Sequence, residues 1–386
     1  MLIPRPGRLQ LPPLSLYVHI PWCIRKCPYC DFNSHQSSGE VPEAQYIDAL
    51  LQDFHNAQPF AQGRSLRSIF FGGGTPSLFS APGYLRLLEG LQDIVGFAPD
   101  IEITLEANPG SAEREKFSAY RRAGINRLSI GVQSFDDLQL HSLGRIHCSD
   151  DARAAIQFAR SAGFDNLNID IMYGLRGQST KDAMRDLQTA IAFAPEHLSW
   201  YQLTIEPNTE FYKRPPVLPE DDALIEIQDS GLALLQSNGY ARYEVSAFAR
   251  DAKMARHNLN YWRFGDYIGI GAGAHGKITQ VEKEQIVRTR NKKQPEHYLN
   301  AQGRFMAEIA PIPEDEIAIE YLINVLRMPE GFSTAAFEAA TGLGFELIQK
   351  QVSSLQAQAL LSFEDSHVRP TEKGQQFLNS VLETFL

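Results

Sequence analysis

The feature that most constrains this chain is a crowded group of cysteines near its start. Cys23, Cys27 and Cys30 lie within eight residues, whereas the fourth cysteine, Cys148, lies far away in the sequence. Soft thiolates in such a group select zinc or an iron–sulfur cluster. A structural zinc usually takes four protein ligands, and no second pair of cysteines follows. We therefore expect a [4Fe–4S] cluster held by three thiolates, with one iron left open to a small molecule.

Composition and charge narrow the remaining choices. The 386 residues leave room for about two domains, and 43% of them are hydrophobic, enough for a large core. The formal charge of −10 argues against a general nucleic-acid surface. One basic stretch, residues 288–293, indicates either a solvated loop or a partner or phosphate site. No apolar run is long enough to span a bilayer, and crowded free thiols suit a reducing compartment, so we expect a cytoplasmic protein.

Strands and helices alternate over the first half of the chain. The sequence predicts strands at 14–19, 68–71, 102–105, 127–130, 168–171 and 198–203, and helical segments at 42–55, 81–95, 112–123, 136–162 and 181–193. Such alternation is typical of βα units and a parallel sheet. Six units predict an α/β fold with a partial, open (β/α)6 barrel. The chemistry of such barrels lies at the carboxyl ends of the strands.

The pattern changes after residue 210. Prolines interrupt the chain, a long helix is predicted at 222–236, and a glycine-rich segment covers 265–276. From residue 311 the chain is mostly helical, with two short β segments at 361–363 and 367–369 before a last helix. This order predicts a winged-helix-like C-terminal domain with a structural or partner-docking role. The predicted divisions are a core at 1–210, an extension at 211–310 and a helical domain at 311–386.

Candidate binding groups follow the predicted strands. The run 72–76, Gly-Gly-Gly-Thr-Pro, bares backbone amides that a ligand can approach closely. Glu106 ends the third strand, and Gln133 follows the fourth. Asp170 lies inside an apolar strand, where a buried carboxylate needs a partner. Arg145 offers a planar guanidinium suited to a carboxylate. Each is a modest indication alone, but all belong to the same edge of the predicted sheet.

The cysteine spacing, with an aromatic residue before the last cysteine, resembles the cluster loop of the radical S-adenosylmethionine (SAM) superfamily. In that superfamily SAM chelates the open iron, and an electron from the cluster cleaves it to a 5′-deoxyadenosyl radical. Over nearly the whole chain the motifs resemble, in order, the oxygen-independent coproporphyrinogen III oxidase family. By this resemblance Cys23, Cys27 and Cys30 bind the cluster. The implied SAM site comprises Tyr17, Tyr29, Gly73, Gly74, Thr75, Glu106, Gln133, Arg145, Asp170 and Thr204.

Two features favour one branch of that family. Coproporphyrinogen dehydrogenases carry a further cysteine two residues after the third cluster ligand, where this chain has Phe32. Residues 257–262 resemble the His-Asn-x-x-Tyr-Trp motif of the haem chaperone branch. The resemblance implies a haem site made by His257, Asn258, Tyr261 and Trp262, in which a histidine ligates or cradles the iron and aromatic rings face the porphyrin. Without the resemblance, the same residues indicate a helix start and two core aromatics.

The predicted function is therefore that of a haem chaperone that binds a [4Fe–4S] cluster, SAM and haem. The expected partners are a haem-accepting protein, with a membrane-associated respiratory protein as one candidate, and an electron donor for the cluster. Nucleic acid is not expected as a partner, so a radical SAM enzyme modifying RNA is disfavoured. The alternative is a coproporphyrinogen III dehydrogenase that performs a radical oxidative decarboxylation. Whether the chain is an enzyme, and whether His257 is an axial ligand, stays open at this point.

Three other residues carry smaller predictions. His19 is expected to be a hydrogen-bonded strand residue in the barrel mouth. Cys148 is expected to be a small buried residue. His275 lies where relatives contact a second SAM or a substrate.

Overall fold

The computed structural model describes residues 8–37, 39–110 and 116–386, and most of its strands belong to one large sheet. The strands are β1 (Leu14–Ile20), β2 (Trp22–Cys23), β3 (His35–Gln36), β4 (Leu66–Gly73), β5 (Phe97–Ala107), β6 (Arg127–Gln133), β7 (Leu167–Tyr173), β8 (His197–Gln202), β9 (Ala241–Glu244), β10 (Ala247–Ala249), β11 (Asp266–Ile270), β12 (His275–Gln280), β13 (Gln285–Asn291), β14 (Met306–Pro311), β15 (Phe332–Ser333), β16 (Leu361–Glu364) and β17 (His367–Pro370).

Helices alternate with the strands of the first half and dominate the end of the chain. The α-helices span Glu43–Ala57, Ala81–Ile94, Phe117–Arg122, Asp137–Ser142, Ser149–Ser161, Thr180–Ala192, Glu210–Lys213, Asp221–Ser237, Arg256–Trp262, Pro295–Leu299, Ile317–Val325, Thr334–Thr341, Glu346–Ala357, Glu372–Gln376 and Leu378–Glu383. The helix predicted at 112–123 is seen from Phe117 on, and its beginning lies outside the described residues. None of the helices in the described ranges is long and apolar enough to cross a membrane.

The large sheet is an open barrel of six parallel strands with an extension on each side. Strands β1, β4, β5, β6, β7 and β8 pair in parallel in this order. Strand β11 adds to β1 in parallel, and β12, β13 and β14 continue antiparallel. Strands β10 and β9 extend the other side. Since no pairing joins β14 to β9 in the described part of the chain, the sheet stays open. The predicted α/β fold with an open (β/α)6 barrel is confirmed.

The barrel strands separate an apolar outer face from a polar interior. In β1, the alternate residues Leu14, Leu16, Val18 and Ile20 are fully buried in the core shared with the surrounding helices. The residues between them point to the other face of the sheet, because successive strand side chains alternate. In the later strands that inner face carries polar side chains. The barrel interior therefore suits a polar ligand, whereas the outer face of the sheet packs in the apolar core.

The sequence analysis missed both extensions of the sheet, of which β11 to β14 is the larger. The basic stretch 288–293 was interpreted in part as a solvated loop, and this is wrong because most of it forms β13. Arg288 donates to the Tyr267 hydroxyl at 2.8 Å and pairs with Glu320, and Arg290 pairs with Glu308 at 2.8 Å. These basic side chains are therefore engaged by neighbouring strands and by the C-terminal domain.

The C-terminal segment has the predicted winged-helix-like arrangement. Three helices, from Ile317 to Ala357, are followed by the hairpin β16–β17, and β15 completes a three-stranded sheet in the order β15-β17-β16. A second hydrophobic core lies here, and it also includes Leu9, Phe264 and Ile286 from outside the segment. The domain therefore packs against the sheet extension. The boundaries at 210 and 310 stay predictions.

Candidate functional site

A cavity of about 340 Å³ opens at the carboxyl ends of the barrel strands. It is lined by Cys23, Arg25, Cys27, Tyr29, Cys30, Phe32, Ser34, Gly73, Gly74, Thr75, Pro76, Glu106, Ala107, Asn108, Ser129, Gly131, Gln133, Arg145, Asp170, Ser199 and Tyr201. We call it the cluster pocket. It brings together all three predicted cluster ligands and eight of the ten residues predicted to bind SAM.

Backbone pairing fixes the cysteine loop beside the glycine run. Strand β2, which contains Cys23, pairs with β3 on the far side of the loop. The amides of Gly74 and Thr75 donate to the carbonyls of Ile20 and Trp22, both at 2.7 Å. A β-carbon on Gly74 would lie 2.5 Å from the Trp22 carbonyl oxygen, so only glycine permits this approach. The loop is therefore held at the rim of the barrel.

The three thiols suit a cationic metal core. Burial raises the pKa of Cys23, and the neighbouring charges of Cys30 and Cys27 add to the effect. Burial also raises the pKa of Cys30, whose Sγ lies 3.6 Å from the Ser34 hydroxyl. Thiolates that repel one another are stabilised by iron, so this donor set fits a cluster. Among the described residues, no three Cys, His, Asp or Glu side chains are close enough to share one metal ion.

Two half-buried carboxylates, of Glu106 and Asp170, also line the cluster pocket. Burial, with the charge of Asp170, raises the pKa of Glu106 to about 8. Glu106 accepts a hydrogen bond from the Gly73 amide at 3.3 Å. Burial raises the pKa of Asp170 as well, although Asn168 and Ser129 donate to it at 2.7 and 3.2 Å. A pair of acids in one buried pocket favours a cationic ligand, and the ammonium and sulfonium groups of SAM meet this requirement.

Arg145 supplies the positive charge on the other wall. Its Nη2 donates to the Asn108 Oδ1 at 2.6 Å and to the Gly131 carbonyl at 2.8 Å, and its Nη1 lies 3.7 Å from the Cys27 Sγ. Burial lowers the pKa of Arg145, but the neighbouring Tyr29 and Cys27 raise it by more. Its buried Nε has no hydrogen-bond partner among the described residues. This free donor is available to a ligand carboxylate.

Two residues of the implied SAM set do not line the cluster pocket. Tyr17 lies in the barrel, with its hydroxyl 2.9 Å from the Nδ1 of His19. Thr204 is exposed, and its hydroxyl donates to Glu206 at 2.9 Å. The prediction for His19 is confirmed, since its Nε2 also lies 2.9 Å from the Asn33 carbonyl oxygen.

Several pocket residues were missed by the sequence analysis. These are polar or aromatic side chains at alternate positions of predicted strands or just after them: Asn108, Ser129, Ser199 and Tyr201. Tyr201 donates to the Gln133 Oε1 at 2.7 Å, and Asn108 donates to the Thr75 hydroxyl at 3.1 Å. The available signal was the period of two. In β6 and β8, polar residues recur at every second position, which marks the face toward the barrel interior.

The predicted haem motif forms the short helix Arg256–Trp262, and none of its residues lines the cluster pocket. The His257 ring stacks on Phe70 at 4.7 Å and contacts Tyr261 at 4.9 Å between ring centroids. It is buried, its Nδ1 has no hydrogen-bond partner in the described part of the chain, and burial lowers its pKa to about 3. The backbone amides of Arg256 and His257 donate to the Glu102 carboxylate at 2.8 and 3.4 Å.

The other motif residues contact the sheet extension and the C-terminal domain. The Tyr261 ring stacks on Tyr267 at 4.1 Å, and the Arg327 guanidinium lies 4.9 Å from the centroid of the Trp262 ring. Asn258 is half-buried on the same helix. The motif residues are thus gathered on one helix, but the structure does not bring them to the cluster pocket. Their role in haem binding stays a prediction.

A chain of hydrogen bonds runs from the cluster pocket through the barrel interior. Asn168 donates to Asp170 at 2.7 Å, and its Oδ1 lies 2.6 Å from the His197 Nδ1. The His197 Nε2 lies 2.7 Å from the Tyr243 hydroxyl, which accepts from the Ala255 amide at 3.3 Å. Ala255 directly precedes the helix Arg256–Trp262. The chain connects a pocket carboxylate with the start of the motif helix.

One expectation outside the site is corrected. Cys148 is exposed, not buried, because it caps the helix Ser149–Ser161 and its thiol donates to Asp151 at 3.3 Å. His275 begins β12 and is exposed, and nothing in the structure assigns it a ligand.

A parallel (β/α)6 barrel with a Cys-x3-Cys-x2-Cys loop at its mouth is the arrangement of radical SAM proteins. The family model described as Radical SAM superfamily matches residues 17–190. A second model, the HemN C-terminal domain, matches residues 312–377. The fold and the pocket therefore define the chain as a radical SAM protein.

Similar proteins give a narrower assignment. The chain is 49% identical to a protein of Escherichia coli (strain K12) named "Heme chaperone HemW", over 98% of this chain and 99% of that one. It is 48% identical to a protein of the same name from Haemophilus influenzae, over 98% and 99% of the two chains. The solved structure of coproporphyrinogen III oxidase (HemN) from Escherichia coli, described as a radical SAM enzyme, matches with a TM-score of 0.82 and 25% identity, over 98% and 91% of the chains. The chain belongs to the HemW family.

Proposed function

We propose that this protein is a haem chaperone that binds haem, a [4Fe–4S] cluster and SAM, and transfers haem to an acceptor protein. The observation that carries the proposal is the 49% identity, over nearly the full length, to a protein named as a haem chaperone. A second observation supports it. Phe32 stands where the dehydrogenase branch carries its additional cysteine, and this side chain is 61% exposed at the pocket mouth.

The pocket residues have distinct parts in this proposal. Cys23, Cys27 and Cys30 would hold the cluster, and the pocket around Glu106 and Arg145 would hold SAM. Bound together, these groups supply a reducing centre and a source of the 5′-deoxyadenosyl radical. The acid pair with Asp170 would neutralise the positive charge of SAM, and the Arg145 guanidinium would receive its carboxylate.

The partners follow from the same proposal. A chaperone needs an acceptor for haem, for which a membrane-associated respiratory protein is one candidate, and the cluster needs an electron donor. The free thiols of the cluster loop suit a reducing compartment and so support the cytoplasm as the proposed location. The proposed haem site at His257, Asn258, Tyr261 and Trp262 requires the motif helix to shift, since the His257 ring is enclosed by Phe70 and Tyr261.

An absorbance titration with haem tests the proposal. The anaerobically reconstituted protein should show saturable Soret binding and should pass haem to apomyoglobin, used as a generic acceptor. A Cys23→Ser, Cys27→Ser, Cys30→Ser variant serves as the control for the cluster, and its iron content should fall to background. Failure of the wild-type protein to bind haem saturably would refute the chaperone function.

The alternative function is that of a coproporphyrinogen III dehydrogenase. It is favoured by the match to the HemN structure, with its TM-score of 0.82, and by the retained pocket. The same preparation, reduced and supplied with SAM and coproporphyrinogen III, discriminates between the two. We expect no release of CO2 from the substrate. Stoichiometric CO2 and 5′-deoxyadenosine, together with an absence of haem binding, would establish the enzyme instead.

A further inference from the structure

A second cavity, of about 310 Å³, lies beside the cluster pocket at the same end of the barrel. We call it the arginine pocket. Its apolar walls come from segments that follow two different strands, with Leu143 after β6 and Leu203, Phe211 and Val217 after β8. Two guanidiniums, of Arg176 and Arg214, complete the lining. A cavity with apolar side chains and two cations in its lining suits an apolar ligand that carries anionic groups at one edge.

The two guanidiniums are free to bind a ligand. Neither forms a hydrogen bond or an ion pair through its side chain with any residue in the described ranges. The nearby Glu210 carboxylate is engaged by Lys213 at 2.9 Å. The Lys213 ammonium, and to a lesser degree Arg214, hold the pKa of Glu210 below its ordinary value. The segment is thus positive overall, and neither Arg176 nor Arg214 pairs with a carboxylate among the described residues.

The arginine pocket is connected with the cluster loop. The Phe211 amide donates to the Pro28 carbonyl at 3.0 Å, and the Phe211 ring lies 6.3 Å from the ring of Tyr29. Leu143 and Leu203 belong to one small apolar cluster against which Tyr29 and Phe211 pack. A ligand in the arginine pocket would therefore lie on the outer side of the wall that carries Tyr29.

Exposed apolar surface continues from the pocket. Val217 is 78% exposed and Tyr212 is 58% exposed, and both belong to the segment that follows β8. Exposed apolar side chains grouped beside a cavity mark a binding surface. The cavity is smaller than a whole porphyrin, so a bound porphyrin would also cover these two exposed side chains.

We propose that the arginine pocket receives haem, with its two propionates on Arg176 and Arg214 and its ring against Leu203, Phe211 and Val217. This inference rests on the proposed function and names the surface that the cargo first reaches. The pocket is open to solvent, whereas the His257 ring of the motif helix is enclosed by its neighbours. Haem in the arginine pocket is held by peripheral contacts, which suits a cargo that must leave again.

The test is a Soret titration of the reconstituted full-length protein and of the double variant Arg176→Gln, Arg214→Gln. Loss of two charge-assisted contacts should weaken haem binding by at least about tenfold. Haem dimethyl ester, which lacks propionate charges, should bind the wild-type protein about as weakly as haem binds the double variant, and it should not respond to the substitutions. The variant Val217→Asp should also weaken haem binding, because it places a carboxylate against the ring and propionates.

A matched control is Arg122→Gln. Arg122 is exposed at the end of the helix Phe117–Arg122, before β6 begins, so it lies at the opposite end of the barrel. This variant should bind haem like the wild-type protein. Circular dichroism and a thermal melt should show that all variants are folded, since the substituted side chains are exposed.

The outcomes separate the inference from the proposed function. Equal haem affinity of the wild-type protein and the double variant overturns the arginine pocket and leaves the chaperone function intact. Equal affinity of the wild-type protein for haem and its dimethyl ester has the same meaning. If the wild-type protein binds no haem, the proposed function and this inference fail together. Binding of oleate in competition with haem, sensitive to both arginines, would identify a general site for amphiphilic carboxylates and overturn the assignment to haem.

Discussion

At the scale of single residues, Glu106 couples folding to pH. Its ordinary pKa is 4.5, and in the folded chain the pKa rises to about 8. Between these values the folded chain retains a proton that the unfolded chain has released, so Glu106 lowers stability progressively as the pH rises from about 4.5 to 8. A Glu106→Gln substitution removes this contribution.

Urea unfolding of the ligand-free protein at pH 5 and pH 8 checks this expectation. The wild-type protein should lose roughly 1–3 kcal/mol more than Glu106→Gln between the two values. Burial also raises the pKa of Asp53, to about 7. Asp53 titrates in both proteins, so its contribution to the difference between them cancels. The same pH response in the two proteins would contradict the assignment.

His257 is a second residue whose role can be separated by substitution. Its ring packs against Phe70 and Tyr261, and its Nδ1 has no hydrogen-bond partner in the described ranges. His257→Phe should therefore stay within about 1 kcal/mol of the wild-type stability, whereas His257→Ala should lose about 2–4 kcal/mol through the cavity it leaves.

A haem titration of both His257 variants distinguishes packing from ligation. If His257 binds the iron, the His257→Phe and His257→Ala variants should both lose the characteristic Soret shift of a histidine complex, whatever their stability. If it only packs, His257→Phe should bind haem like the wild-type protein. Equal destabilisation by Phe and Ala would contradict the packing role.

At the scale of secondary-structure elements, the motif helix depends on a distant carboxylate. The helix Arg256–Trp262 has seven residues, too few to be stable alone. The backbone amides of its first two residues donate to Glu102, which lies in the middle of β5. A carboxylate in this place satisfies free amides and interacts favourably with the helix dipole.

Glu102→Ala should lower the unfolding free energy by about 1–2 kcal/mol, and Glu102→Gln by less, because the amide oxygen still accepts a hydrogen bond. Guanidinium unfolding, with hydrogen exchange of the Arg256 and His257 amides as a local readout, measures both effects. Unchanged amide protection in Glu102→Ala would show that the helix is held in another way.

The same elements show how far the sequence predicts the structure. The six barrel strands and the winged-helix-like order follow from apolar periodicity, because each element buries one face and its pattern is local. The cluster loop is predicted by ligand spacing. The attachment of β11, and with it β12 to β14, to β1 is not, since it joins segments more than 200 residues apart, as in Leu14 with Asp266. For the same reason the enclosure of His257 by Phe70 leaves no local signal.

At the scale of the whole molecule, one buried carboxylate connects the barrel with the sheet extension. Asp266 is fully buried, pairs with Arg64 at 2.8 Å and Lys277 at 3.1 Å, and accepts from the Thr279 amide and hydroxyl. Burial lowers the pKa of Lys277, and the charge of Asp266 opposes this effect. Removal of Asp266 would leave Lys277 and Arg64 without this counter-charge, although Arg64 would still donate to backbone carbonyls.

Asp266→Ala should therefore cost about 3–5 kcal/mol, the usual effect of breaking a buried ion pair. The matched control is Arg290→Gln, which breaks the exposed pair with Glu308 in the same extension and should cost less than about 1 kcal/mol. Thermal and urea unfolding compare the two. A loss in Asp266→Ala no larger than that of the control would show that the extension is not anchored by this charge.

The hydrogen-bonded chain from Asp170 through Asn168 and His197 to Tyr243 has a consequence for proton traffic. An amide side chain such as Asn168 fixes the orientation of its neighbours but has no proton to relay at ordinary pH. The chain of hydrogen bonds therefore does not relay protons between Asp170 and Tyr243. A cation that enters the pocket favours loss of the proton that Glu106, with its pKa of about 8, retains near neutral pH. The chain that begins at Asp170 offers that proton no relay toward the motif helix.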